Sequence, residues 1–112
     1  TLREKVVGTY EFKEDGDTYR TVLLENGVME AYENGKKRAE GRWTGIHARG
    51  VFARGRAREI NPAEIHVEVK DGHITVYRIN KDGSITGIAR TYKDGKREDI
   101  PKVEQLTYKK IK

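Results

Sequence analysis

The sequence predicts an all-β chain, an antiparallel meander of about eight or more strands that is barrel-like or folded as two packed sheets. Three observations predict it. Asp15-Gly16, Asn26-Gly27, Asn34-Gly35, Asp71-Gly72, Asp82-Gly83 and Asp94-Gly95 are the dipeptides that two-residue hairpin turns favour, because their central residues need positive φ. Runs such as Gly8-Thr9-Tyr10-Glu11-Phe12-Lys13 and Ile74-Thr75-Val76-Tyr77-Arg78-Ile79 alternate with the period of a strand. No acid-capped segment keeps helical periodicity for more than about two turns.

Taken in order, these signals place strands near 5–14, 17–25, 28–34, 36–44, 64–70, 73–80, 84–93 and 104–111. In the fourth strand Ala39, Gly41 and Trp43 alternate with Arg38, Glu40 and Arg42, so Trp43 is expected in the core. Gly8, Gly41 and Gly87 fall inside strands, where a closing sheet bends. The other aromatic residues, Tyr10, Phe12, Tyr19, Tyr32, Phe52, Tyr77, Tyr92 and Tyr108, are spread over most strands, as core packing requires.

At 112 residues the chain fits one domain, 1–112, and 35% apolar against 37% charged residues demands that each strand concentrate its apolar side chains on one face. Nothing approaches the roughly 20 apolar residues that cross a bilayer as a helix. The chain begins at Thr1 rather than Met, so removal of an upstream export signal, with a periplasmic or extracellular location, is one expectation. Cysteine is absent, which removes disulfides, thiolate metal sites and cysteine nucleophiles together.

The turn signals lapse between Asn34-Gly35 and Asp71-Gly72, and segment 45–63 has a composition of its own. Residues 36–58 hold eight basic residues against Glu40 alone, a balance of +7, whereas the rest of the chain carries −2. Any inference from the net +5 therefore concerns this quarter of the chain. As a strand, the segment sets Arg54, Arg56 and Arg58 on one face and Ala53, Gly55 and Ala57 on the other. As a helix it aligns Ile46, Ala53, Ala57 and Ile60, but Gly50 and Gly55 each cost about 1 kcal/mol relative to alanine. A strand or irregular ribbon is expected. Phe52 among Arg49, Arg54, Arg56 and Arg58 is the one aromatic–arginine cluster, and these five are the candidate ligand-binding residues, facing an anionic macromolecule.

Leu24-Glu25-Asn26-Gly27-Val28, Tyr32-Glu33-Asn34-Gly35-Lys36-Lys37, Glu40-Gly41-Arg42-Trp43 and Asp94-Gly95-Lys96-Arg97-Glu98-Asp99-Ile100-Pro101-Lys102 resemble small exported, lipoprotein-like β domains of environmental bacteria with no assigned activity. That resemblance implies fold and export and supplies no site residues. It stops at 45–63, which leaves an insertion or an engineered graft as readings of that piece. Tyr32 to Trp43 is also similar to a single MORN-type unit, but those units are tiled many times in their own family. The same tyrosine, turn and basic start recurs in Tyr92-Lys93-Asp94-Gly95-Lys96-Arg97.

No catalytic, metal or cofactor site is expected. His66 and His73 flank one hairpin; a two-residue Asp71-Gly72 loop pairs His66 with Tyr77 and Lys70 with His73, putting both histidines on one face yet roughly 10 Å apart. Ser84 follows a turn dipeptide, where serine serves the backbone. Glu11, Glu30 and Glu40 are surface residues unless a barrel turns them inward for hydrolysis. The expected function is a non-enzymatic binding or structural module, with polyanion binding through the arginines (nucleic acid or acidic polysaccharide) as the alternative.

Overall fold

The six Asx-Gly dipeptides build two kinds of turn. Asp15-Gly16 and Asn34-Gly35 are two-residue turns: both Asx residues have φ of 50° and both glycines follow at 83–84°, joining Glu14 to Asp17 and Glu33 to Lys36. The other four are three-residue loops. In each, the residue before the loop accepts the glycine amide (Leu24, Val69, Asn80 and Tyr92 from Gly27, Gly72, Gly83 and Gly95). The Asx carboxyl or amide oxygen takes the N–H two residues on, at 2.9–3.1 Å, and glycine alone carries the positive φ, 85–89°. The expectation of six two-residue turns is therefore corrected for four of them.

The apolar pattern explains which loop forms. Three-residue loops set Leu23 against Met29 and Ile79 against Ile85; a two-residue loop would shift each partner by one and bring Glu30 or Thr86 to the core side. The same slip overturns the expected histidine geometry. His66 pairs with Val76 and Ile65 with Tyr77, while Val69 bonds across to His73, so His66 and His73 occupy opposite faces. The tyrosine–turn echo fails for the same reason, since its two copies use different turns.

The computed structural model describes the backbone of residues 2–46, 49–53, 56–61 and 63–112, and the side chains of 4–45 and 63–112. Its elements are α1 (Leu2–Val6), β1 (Gly8–Glu14), β2 (Asp17–Leu23), β3 (Val28–Glu33), β4 (Lys36–Ile46), β5 (Arg49–Ala53), β6 (Arg56–Asn61), β7 (Glu64–Val69), β8 (Ile74–Ile79), β9 (Ile85–Thr91), β10 (Arg97–Asp99) and β11 (Thr107–Lys110), with a 3-10 turn at Lys102–Glu104. Two strand boundaries are corrected. Residues 5–6 belong to α1, and the last strand begins at Thr107 because the 3-10 turn after Pro101 occupies 102–104. β10 was not anticipated.

Strands β1-β2-β3-β4-β7-β8-β9-β11 form a continuous ladder, and β11 pairs back onto β1, closing an eight-stranded antiparallel barrel. β10 adds to β9 outside the ring. Closure leaves β11 rather than a free edge beside β1, the usual protection against edge-to-edge pairing. Gly41 makes the β4–β7 contact feasible: a Cβ there would lie 2.1 Å from the Glu68 carbonyl oxygen, so only glycine fits.

One end of the barrel is packed shut. Tyr10, Leu23, Met29, Trp43, Ile65, Val67 and Ile85 are each at most 4% exposed and cluster with Val6 of α1. The Tyr10 hydroxyl donates to the Val6 carbonyl at 2.6 Å and Lys110 Nζ to the Lys5 carbonyl at 2.6 Å, satisfying carbonyls that a helix terminus leaves open. Trp43 is buried as expected, and its indole N–H donates to Leu24 O at 2.8 Å, tying the 25–27 loop down over it.

Candidate binding surfaces: the basic ribbon and the open barrel end

β4 and β7 run from Gly41↔Val69 to Ile46↔Glu64, and Arg49↔Asn61, the first described pair of β5 and β6, has the same register before a bulge at Arg49/Gly50 shifts it by one. β5 and β6 then form a separate two-stranded sheet. Arg56 stands opposite Ala53, and Arg58 opposite Val51. Of the five candidate ligand-binding residues, Arg49 and Phe52 are on β5 and Arg56 and Arg58 on β6. The side chains of these four, and Arg54 altogether, lie outside the described residues. Strand rather than helix is thus the conformation of 49–53 and 56–61.

The second surface was missed in the sequence. At the end carrying the Asp15-Gly16 and Asn34-Gly35 turns, the inward positions Phe12, Tyr19, Ala31, Ala39, Val69, Tyr77 and Tyr108 are all partly exposed. Four of them form an aromatic arc. Tyr19 stacks on Phe12 at 6.2 Å, Phe12 lies 5.6 Å from Tyr108, and Tyr108 meets Tyr77 edge-on at 6.4 Å. The last contact crosses β9 at Gly87, beside which the Tyr77 ring lies.

The facing wall is small: Ala31 pairs with Ala39, and the β4–β7 ladder stops at Gly41↔Val69. A cavity of about 600 Å³ lies beside this wall, lined by Ala39, Val69 and the charged Lys37, Arg38, Glu40, Lys70 and Asp71, and by none of the four rings. The pairing of Phe12 with Tyr19 could have been read from the two-residue turn at 15–16. The meeting of Tyr77 with Tyr108, 31 residues away in sequence, depends on closure.

The remaining sequence candidates take ordinary roles. Glu11, Glu30 and Glu40 are on the outward face, alternating with Tyr10, Met29 and Gly41. Glu11 holds Arg20 at 2.9 Å. Glu30 and Glu40 sit directly opposite each other, a like-charge pair that Lys37 bridges. Hydrogen bonds to Glu40 and then Glu30 push the Lys37 ammonium up to about 12, and the Lys37 contact holds the Glu40 carboxyl below its usual range. His66 meets Glu64 at 3.1 Å and His73 meets Asp71 at 2.7 Å, each a carboxylate two residues earlier. The Ser84 hydroxyl donates to Asp82, whose carboxyl is held low by that bond and by the Ser84 amide. Among the described residues no group of three or more His, Cys, Asp or Glu is placed to hold a metal ion, and no helix is long and apolar enough to cross a membrane. Comparison with protein-family models, with curated proteins and with solved structures returns no match.

Proposed function

We propose that this chain is a non-enzymatic binding module and that its β5–β6 ribbon engages an anionic polymer. The observation that carries the reading is the coincidence of charge with architecture. The 36–58 stretch carries +7 against −2 for the rest of the chain, and three of its arginines, Arg49, Arg56 and Arg58, fall on β5 and β6, which pair outside the barrel sheet, with Arg54 between them in the sequence. A two-stranded ribbon is one of the two shapes that a duplex major groove admits, and guanidinium groups bind phosphate in bidentate fashion. His66, His73 and Ser84 support a non-catalytic reading, because each is engaged with a neighbouring turn or strand carboxylate.

The test is a salt titration of binding to a fluorescein-labelled DNA duplex and to a sulfated polysaccharide. Phosphate contacts should give a log–log slope of about −0.9 for each phosphate neutralised. Replacing Arg49, Arg54, Arg56 and Arg58 with glutamine should flatten that slope. Absence of binding to both polymers at low salt, or binding unchanged in the glutamine variant, sinks the proposal.

A further inference from the structure

We propose that the edge of β4 at residues 36–40 takes up an extended acidic peptide as an added strand, its carboxylates alternating with small apolar side chains. The ladder supplies the edge. β4 spans Lys36–Ile46 and pairs with β3 from Lys36 to Arg42 on one side. On the other side β7 meets it only from Gly41 onward, because β7 ends at Val69 and turns away through Asp71-Gly72. Residues 36–40 therefore carry backbone N–H and C=O groups on that side with no described strand to meet them, about 17 Å of edge. This edge lies at the opposite end of β4 from the ribbon.

The cavity of about 600 Å³ lies beside that edge. Its lining comes from two chain segments, Lys37, Arg38, Ala39 and Glu40 of β4, and Val69, Lys70 and Asp71 at the end of β7 and in its turn. A guest strand there would continue the line of β7 and bond to β4 as β7 does further along, the main-chain recognition by which sheet edges bind extended peptides.

The side chains around the cleft set what the guest must carry. Ala39 and Val69 are partly buried inward positions, so alternate residues of the guest meet small apolar groups. Lys37, Arg38 and Lys70, all exposed, stand around the remaining positions. Of the two acids in the cleft, Glu40 is held by Lys37 and Asp71 by His73. Lys36 and Lys70 form no ion pair with a described residue, and the Lys93 stem packs over Gly72 next to Asp71. A carboxylate on every second residue matches this surface, since strand side chains alternate between faces. Charges on a sheet edge also guard it against a second copy of the chain. In an antiparallel pair of copies centred on Arg38 the two guanidiniums would face each other, and like charges directly opposite are destabilising.

The probe is a fluorescein-labelled heptapeptide of alternating glutamate and valine, followed by fluorescence anisotropy. The parent protein should bind it saturably, and the variant with Arg49, Arg54, Arg56 and Arg58 replaced by glutamine should bind it equally, which separates this edge from the ribbon. The same peptide with N-methylated amides keeps every charge, loses the donors that a ladder needs, and should not bind. Lys70→Glu should weaken binding by about fivefold, the worth of one exposed ion pair. Circular dichroism checks the fold of that variant; should it fail to fold, the N-methylated peptide decides on the parent alone. Sedimentation of the parent without peptide should show a monomer; a dimer that the peptide competes apart gives the edge to a second copy and overturns the proposal. So does any of four other results: no saturable binding by the parent, equal binding of the N-methylated peptide, folded Lys70→Glu binding as the parent does, or loss of binding in the glutamine variant.

Discussion

The two ends of this barrel are built from the same strands and differ in what fills them. At the α1 end the inward residues are large and sealed, with Leu23 and Ile65 fully buried and Trp43 only 3% exposed. At the other end the aromatic rings line half the wall, alanine, glycine and valine line the rest, and every one of the inward positions Phe12, Tyr19, Ala31, Ala39, Val69, Tyr77 and Tyr108 is partly exposed. The polar groups divide likewise: Tyr10 bonds to a helix carbonyl, whereas Tyr19, Tyr77 and Tyr108 bond to no other described residue. The difference teaches that one ladder of strands can be packed tightly at one end and loosely at the other, because the size of the inward side chains, not the strands, sets the filling.

The sharpest way to break this comparison is to truncate one aromatic at each end. Trp43→Ala should cost about 3–5 kcal/mol, as expected for a large aromatic lost from a core that cannot collapse around the gap. Tyr19→Ala removes a partly exposed ring and one aromatic pair and should cost about 1–2 kcal/mol. Equal losses in urea denaturation would mean that the two ends are packed alike.

Two glycines sharpen it next. An alanine at Gly41 would place its Cβ against the Glu68 carbonyl, backbone that cannot swing aside, so Gly41→Ala should destabilise by about 1–3 kcal/mol. An alanine at Gly87 would meet the Tyr77 ring at 3.6 Å, an ordinary contact, so Gly87→Ala should stay within about 1 kcal/mol of the parent. Thermal melts of the two variants check the order; a reversed order would show that the wall, not the arc, has slack.

The alkaline limb of the stability profile probes the packed end alone. Burial pushes the Tyr10 phenol up to about 12 from 10.0. In the unfolded chain it ionises near 10, while the folded chain keeps the proton, so stability is full below pH 10 and falls as pH rises from there through about 12. The loss should be about 2 kcal/mol across that window, since each tenfold difference in proton affinity between the folded and unfolded chains is worth roughly 1.4 kcal/mol. Tyr10→Phe should flatten that part of the curve at the expense of the bond to Val6. A profile whose slope between pH 10 and 12 is unchanged in Tyr10→Phe would mean that the Tyr10 hydroxyl is not buried in solution.

Much of the fold was legible locally. The Asx-Gly dipeptides marked every turn they occupy, the alternation of Ala39, Gly41 and Trp43 placed Trp43 inside, and the two-residue turn at Asp15-Gly16 implied Phe12 beside Tyr19. Reading loop length required one step more: the apolar partners Leu23 and Met29, or Ile79 and Ile85, had to be matched across each turn, since dipeptide identity is shared by both turn types. The charge excess in 36–58 was likewise visible in the sequence, whereas segment 45–63 was legible only as a strand or irregular ribbon, without its division into β5 and β6.

By itself, then, the sequence determined most of the barrel strands, the positions of their turns, the burial of Trp43 and the location of the charge, because these depend on residues a few positions apart. The tertiary structure alone decided that β11 closes on β1, that α1 seals one end, and that Tyr77 and Tyr108 meet across Gly87. Those contacts join residues distant in the chain, and their register is set by the shear of a closed sheet, a property of all the strands together that no single hairpin encodes.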